Sequence, residues 1–317
     1  MSGARVQGAD RLQRGEQKAM NRNDLGIFAK TFARPTFDAN LDAVAAHGLG
    51  VVQYNMACAG LPSMPERIAP DLAQRIRVAA AGRGVRIAAI SGTFNMIDPV
   101  VGRRRSGLRR LRELAGACAA LGTSTVTLCT GTRDPDDMWR AHPANGTPEA
   151  WADLLAAMVE ALAIAEEFDL QLAVEPETAN VVDSPAKARL LLQELRSPRL
   201  KIIIDPANLC HVEDLPRQRD ILDEAFDLLG PHIVIAHAKD ARVEGGAIRH
   251  VAAGRGLLDY EHYLALLRHV PAPLIMHGLA ETDVDASLAF LHATRANIDR
   301  TTGQHTDMEM RPCLSVA

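Results

Sequence analysis

Residues 170–209 read LQLAVEPETANVVDSPAKARLLLQELRSPRLKIIIDPANL. Two short apolar runs, LQLAV and LKIII, each end on a carboxylate, Glu175 and Asp205. Between them lies a segment with helical spacing that opens on Ser184-Pro185, a hydroxyl cap followed by the residue best tolerated in a first turn. Nearly continuous apolar strands imply burial on both faces, the mark of a parallel sheet covered by helices. The unit is strand, helix, strand, and it recurs to either side.

Toward the N-terminus lie DLGIFAKTF (24–32), GVVQYNMAC (50–58), VRIAAISGTF (85–94) and STVTLCTG (124–131); toward the C-terminus lie HIVIAHAKD (232–240) and APLIMHGLA (272–280). With the two central runs this makes eight strands. The helices between them are punctuated. TFDANLDAVAAHG starts near a Thr/Asp cap and stops at Gly48, and Thr147-Pro148-Glu149 opens another. DVDASLAFLHATRANI follows the last strand. No Gly/Ser-rich linker interrupts the series, and no GxGxxG follows the first strand, as a doubly wound nucleotide-binding sheet would lead one to expect. Eight units in one series predict an α/β chain folded as a single (β/α)8 TIM barrel over 24–298. Residues 1–23 form a polar, Arg-rich lead-in expected to be disordered, with no apolar core of a secretory signal, and 299–317 form a similar C-terminal tail.

Composition agrees. The 317 residues are 47% hydrophobic and 23% charged, which excludes a wholly disordered, collagen-like or coiled-coil chain. No run approaches the roughly 18–20 uncharged apolar residues of a membrane span. A net charge of −4 gives no global electrostatic reason to bind nucleic acid. The five cysteines (58, 118, 129, 210 and 313) are scattered and form no CxxC pair, which fits reduced thiols in a cytoplasmic protein.

A barrel of this kind places its chemistry at the C-terminal ends of its strands. The fifth ends in Glu175-Pro176-Glu177, the sixth in Asp205-Pro206-Ala207-Asn208 and the seventh in His237-Ala238-Lys239-Asp240; the eighth ends in His277, with Glu281 four residues on. Neighbouring parallel strands lie about 4.8 Å apart, so side chains from four consecutive strands can meet at one ion. Oxygen donors with imidazole suit one divalent metal: Mn, Mg, Co or Zn. Lys239, two residues from His237, shares its face and is a candidate for a substrate oxygen. Arg255, between Gly254 and Gly256, is a candidate for a substrate carboxylate or phosphate. Glu177 is a candidate for orienting a ligand. The long polar segment 129–145, with Trp139 and His142, is a candidate lid.

EPETANVVDSP, IIIDPANL, HAKD and the following GRGLLDY resemble the xylose-isomerase-like TIM barrels of the sugar phosphate isomerase/epimerase family. The resemblance implies metal ligands Glu175, Asp205, His237 and Glu281. It also implies that Glu175 and Glu281 act as the catalytic pair, removing a proton beside a carbonyl and returning it through an enediolate that the metal stabilises. Two positions depart from the family pattern: Asn208 stands where many members carry a His, and His277 stands where the last Glu ends its strand. Asn208, Lys239, Arg255 and His277 are accordingly expected to bind substrate. The expected activity is that of an isomerase or epimerase of a small keto-sugar, polyol-derived or keto-acid substrate, acting alone or as a homo-oligomer. A lyase or dehydratase shares the same chemistry. The family's apurinic endonucleases use extra histidines at early strand ends, where this chain has NMAC, SGTF and CTG, so neither phosphodiester cleavage nor nucleic-acid binding is expected. A non-catalytic barrel used as a sensor or scaffold would leave the acid set unexplained.

Overall fold

The computed structural model describes residues 25–309, so the expected lead-in lies outside the described residues, as does the end of the tail from 310 on. The apolar runs form strands β1 (Leu25–Phe28), β2 (Val51–Tyr54), β3 (Arg86–Ser91), β4 (Thr125–Cys129), β5 (Gln171–Glu175), β6 (Leu200–Ile204), β7 (Ile233–Glu244) and β9 (Leu274–Met276). Each pairs in parallel with its neighbour, β9 with both β1 and β7, and β6 with β7, so these eight strands close into a barrel. Helices α1 (Phe37–Ala46), α2 (Pro70–Gly82), α3 (Val101–Leu121), α4 (Pro148–Glu167), α5 (Pro185–Leu195), α6 (Gln218–Leu229), α7 (Tyr260–Leu267) and α8 (Val284–Glu309) connect and surround them. The chain is a single (β/α)8 barrel. Helix α8 continues past Ile298, into the stretch that composition alone marks as a tail.

The caps act as expected. The side chains of Thr36, Thr147 and Ser184 accept hydrogen bonds from the third-residue amides of α1, α4 and α5. Each replaces water at an amide with no partner inside its helix, a contribution of about 1 kcal/mol.

One element is additional. Strand β7 runs on to Glu244, turns at Gly245-Gly246 and pairs antiparallel with β8 (Ala247–Ala252). Both glycines have positive φ, 58° and 78°, the conformation that a two-residue turn between twisted strands requires.

Strand alternation divides the apolar residues in two. Val52, Tyr54, Leu172, Val174, Ile202, Ile204, Leu274 and Met276 join the large core shared with the helices. Val51, Ala89, Ala173, Ile203, Ile235 and Ile275 form a separate small cluster, the filling of the barrel itself. Since side chains alternate along a strand, the residue two positions on faces the same way. Those residues are Gln53, Ser91, Glu175, Asp205, His237 and His277. The polar site is thus the next layer of the barrel's interior, resting on an apolar floor.

Candidate functional site

Asp205 and His237 are fully buried at the centre of this layer. Asp205 Oδ1 accepts from the Ala207 amide at 3.0 Å, while Oδ2 lies 3.1 Å from Lys239 Nζ and 3.4 Å from His237 Nδ1 without hydrogen-bond geometry to either. His237 Nδ1 also lies 3.3 Å from Glu175 Oε1, and Nε2 lies 3.0 Å from Gln53 Oε1. Lys239 donates to Asn208 Oδ1 at 2.6 Å, and Asn208 Nδ2 donates to Glu175 Oε1 at 2.6 Å. Asn208 therefore links the ammonium of Lys239 to the carboxylate of Glu175 and fixes how that carboxylate faces.

His277 lies over this group. Its ring stacks on His237 with centroids 4.6 Å apart and planes 6° from parallel, and its other face meets Phe28 at 4.9 Å. Its Nδ1 is buried without a hydrogen-bond partner, like Asp205 Oδ2. One donor atom each from Asp205, His237 and His277 lie within 4.8 Å of one another. Gly278, at φ 67°, lets the chain leave the strand across Lys239, since a Cβ there would sit 2.9 Å from the lysine Cδ.

The charges are interdependent. Burial works against ionised Asp205, but the neighbouring Lys239 and His237 outweigh it and hold its pKa below the ordinary carboxylate range. Burial likewise opposes the His237 imidazolium, yet the Glu175 and Asp205 carboxylates raise it to about 9. For His277 burial and the adjacent charges of His237 and Lys239 mostly act together and push its pKa well down, so its ring is neutral. Burial, with the repulsion of Glu175, raises Glu177 to about 7.

Two expected residues lie elsewhere. Glu281 starts a short 3-10 turn at the rim; its carboxylate is 38% exposed, is held through both oxygens by Arg34 and does not join the donor group. The reason is register: strand β9 ends at Met276, so the interior ladder reaches His277, whereas Glu281 lies beyond Gly278 in the connection to α8. Arg255 is also at the rim, 58% exposed and 3.7 Å from Asp283. The glycines beside it serve a different carboxylate. Buried Asp240 accepts from the amides of Ala241, Gly254, Gly256 and Leu258 at 2.8–3.1 Å, and a Cβ on Gly256 would lie 2.2 Å from Asp240 Oδ1. The sequence singles out HAKD and GRG separately, but only the fold shows that one holds the other.

The 129–145 segment is tied to its surroundings. Thr132 Oγ1 donates to the Arg140 carbonyl, and Asn95 Oδ1 accepts from the Thr132 amide. Trp139 is half exposed and lines a cavity of about 390 Å³ with Glu177, Ala207, His211, Ile248 and His250; Glu177 and Ala207 follow Glu175 and Asp205 by two residues. The hairpin β7–β8 contributes Gly246, Ala247, Ile248 and His250 to that lining.

This architecture has known counterparts. The chain belongs to the xylose isomerase-like TIM barrel family, whose family model matches residues 41–292. Among solved structures, 3-keto-D-glucoside 4-epimerase from E. coli is 16% identical, with TM-score 0.65, 85% of this chain and 99% of that one covered. The probable 3-DHS dehydratase of Bacillus anthracis is 13% identical with TM-score 0.66, covering 84% and 98%. A xylose isomerase-like TIM barrel protein from Mycobacterium smegmatis in complex with magnesium is 14% identical with TM-score 0.63, covering 83% and 89%. At these identities the likeness is one of fold. No protein with a curated description matches the chain.

Proposed function

We propose that this protein is a divalent-metal-dependent isomerase or epimerase acting on a small keto-sugar, polyol-derived or keto-acid substrate. The observation that carries the reading is the buried group Asp205, His237 and His277, with one donor atom from each within 4.8 Å of the others, in which His277 Nδ1 has no hydrogen-bond partner. Buried polar atoms rarely go unpartnered, because each costs about 1–3 kcal/mol. An unpartnered imidazole nitrogen beside a buried carboxylate and a second imidazole suits a bound cation. Asp205, His237 and His277 would hold it, with Glu175 at its edge; a divalent ion there supplies the positive charge that makes a carbon-bound proton next to a carbonyl acidic enough to remove.

The chain's own groups do the rest. Glu175 is the base, its Oε1 held by Asn208 so that the carboxylate presents a fixed lone pair. Lys239, buried and raised above its ordinary pKa by Asp205 and its neighbours despite its burial, remains a cation that can hold a substrate oxygen. The cavity lined by Trp139 and His250 takes the remainder of the substrate. Loss of a β-hydroxyl after the same proton abstraction would be a dehydration, and product analysis separates the two outcomes.

The test is incubation of metal-loaded protein with a panel of ketoses and keto acids in D2O, followed by NMR. Solvent deuterium should enter at the carbon next to the carbonyl, and chelator should abolish this. A panel with neither turnover nor exchange in protein that holds stoichiometric metal would remove the isomerase reading.

A further inference from the structure

The metal-centre reading takes its donor on the last barrel strand from an imidazole, and here the interior ladder departs from the pattern the family leads one to expect. We propose that His277, not Glu281, is the ligand, so that the site has two imidazoles and selects a borderline cation such as Zn2+ or Co2+ over Mg2+. The inference rests on the metal-centre reading and adds to it the exclusion of Glu281 and the selectivity that follows.

Three observations lead here. First, His277 Nδ1 is buried, has no hydrogen-bond partner and lies within 4.8 Å of a donor atom on both Asp205 and His237. Second, the ring is packed into place. It is held between Phe28 and His237 at centroid separations of 4.9 and 4.6 Å, so it is aimed before any ion arrives. Third, Glu281 is occupied: Arg34 takes both of its carboxylate oxygens, one at 2.9 Å and the other at 2.5 Å. That fork joins the loop after β1 to the loop after β9, and it closes the barrel mouth across the seam where the first and last strands meet. Glu281 is a rim clasp.

The chemistry of selectivity follows. Mg2+ demands oxygen donors and keeps its waters, whereas imidazole nitrogen suits Zn2+ and Co2+. An imidazole in place of one of the three carboxylates in the ligand set that the family leads one to expect also removes a negative charge from the site, which weakens the hold on a hard cation further.

The experiment uses the full chain, stripped with chelator and titrated with Zn2+, Co2+ and Mg2+ in turn, together with X-ray absorption of the Zn2+ and Co2+ forms. Binding of one ion per chain is expected, at least 100-fold tighter for Co2+ or Zn2+ than for Mg2+, with scattering from two imidazoles. His277→Ala should weaken Co2+ binding by about 10–100-fold or more, since a lost ligand should cost at least as much as a lost supporting group. It should also remove one imidazole from the spectrum. Glu281→Ala should leave the affinity within about threefold. His277→Glu should narrow the preference for Co2+ over Mg2+. If His277→Ala does not fold, the imidazole count of the unaltered protein still decides. One imidazole, or a loss on Glu281→Ala equal to that on His277→Ala, would overturn the assignment while leaving a metal centre in place. Absence of saturable binding in the unaltered protein would overturn both the assignment and the metal-centre reading beneath it.

Discussion

Asn208 shows how a small residue controls a larger one. Its amide oxygen accepts a hydrogen bond from Lys239 on one side and its amide nitrogen donates to Glu175 on the other. Glu175→Gln keeps the shape and removes the base, so turnover and solvent exchange should fall by about 10²–10⁴-fold or more while metal still binds; kinetics and titration on one preparation check both halves. Asn208→Ala should lower kcat with a smaller effect on KM, because the carboxylate is released but not lost. Glu177 gives a pH signature. Its pKa is raised to about 7 by burial and by Glu175, so the folded chain holds that proton more tightly than the unfolded chain. Its contribution to stability is therefore complete below the ordinary glutamate range and is lost as pH rises through about 7. In chelator, the melting temperature of the unaltered protein should drop more between pH 5 and 8 than that of Glu177→Gln.

At the scale of elements, the hairpin β7–β8 and the loop after it form one piece, held by Asp240. Asp240→Ala would leave the amides of Ala241, Gly254, Gly256 and Leu258 without their acceptor. Water can reach some of them, so the loss should be about 2–5 kcal/mol rather than four full penalties. Urea unfolding measures it, and a shift under about 1 kcal/mol would mean that the loop does not depend on this carboxylate. Much of this level was legible in the sequence. Continuous apolar runs ending in Glu175, Asp205 and His237 mark both a buried strand and the face its last residue takes. Ser184-Pro185 and Thr147-Pro148 mark helix starts by capping chemistry that needs no tertiary context. The hairpin is harder to see in the sequence, although Gly245-Gly246 between Val243 and Ile248 carries a turn signal; the polar residues around it look like loop because this ribbon stands off the core. The role of Asp240 has no local signal, since three of its four partners are amides 14 to 18 residues away. Glu281 illustrates a different limit: a carboxylate near a strand end is visible in sequence, but whether it lies on the interior ladder depends on where the strand stops.

For the molecule as a whole, metal binding and folding are linked. Any ion held only by the folded chain stabilises it, by about 2.7 kcal/mol at a hundredfold excess over Kd. The melting temperature should rise with Co2+ or Zn2+ and fall back in chelator, whereas His277→Ala should show a much smaller rise. The net charge of −4 and the absence of histidine from the ends of β2, β3 and β4 predict no incision of an abasic duplex. Specific cleavage that disappears in Asp205→Ala would contradict that.

Barrel closure also bears on self-association. Strands β1–β6, β9 and the lower part of β7 pair on both sides, so among the described residues the unpaired strand edges belong to the hairpin at the mouth. An open edge is a template on which another copy can add a strand. Here Glu244 pairs with Arg242 and, across the ribbon, with Arg249, while the exposed positions of β8 include Arg249 and His250. A second chain docking there would have to bury those charges. The ribbon can thus wall the substrate cavity without becoming adhesive, and it is the charge of three side chains, rather than any further cover, that keeps the entrance open in a crowded solution.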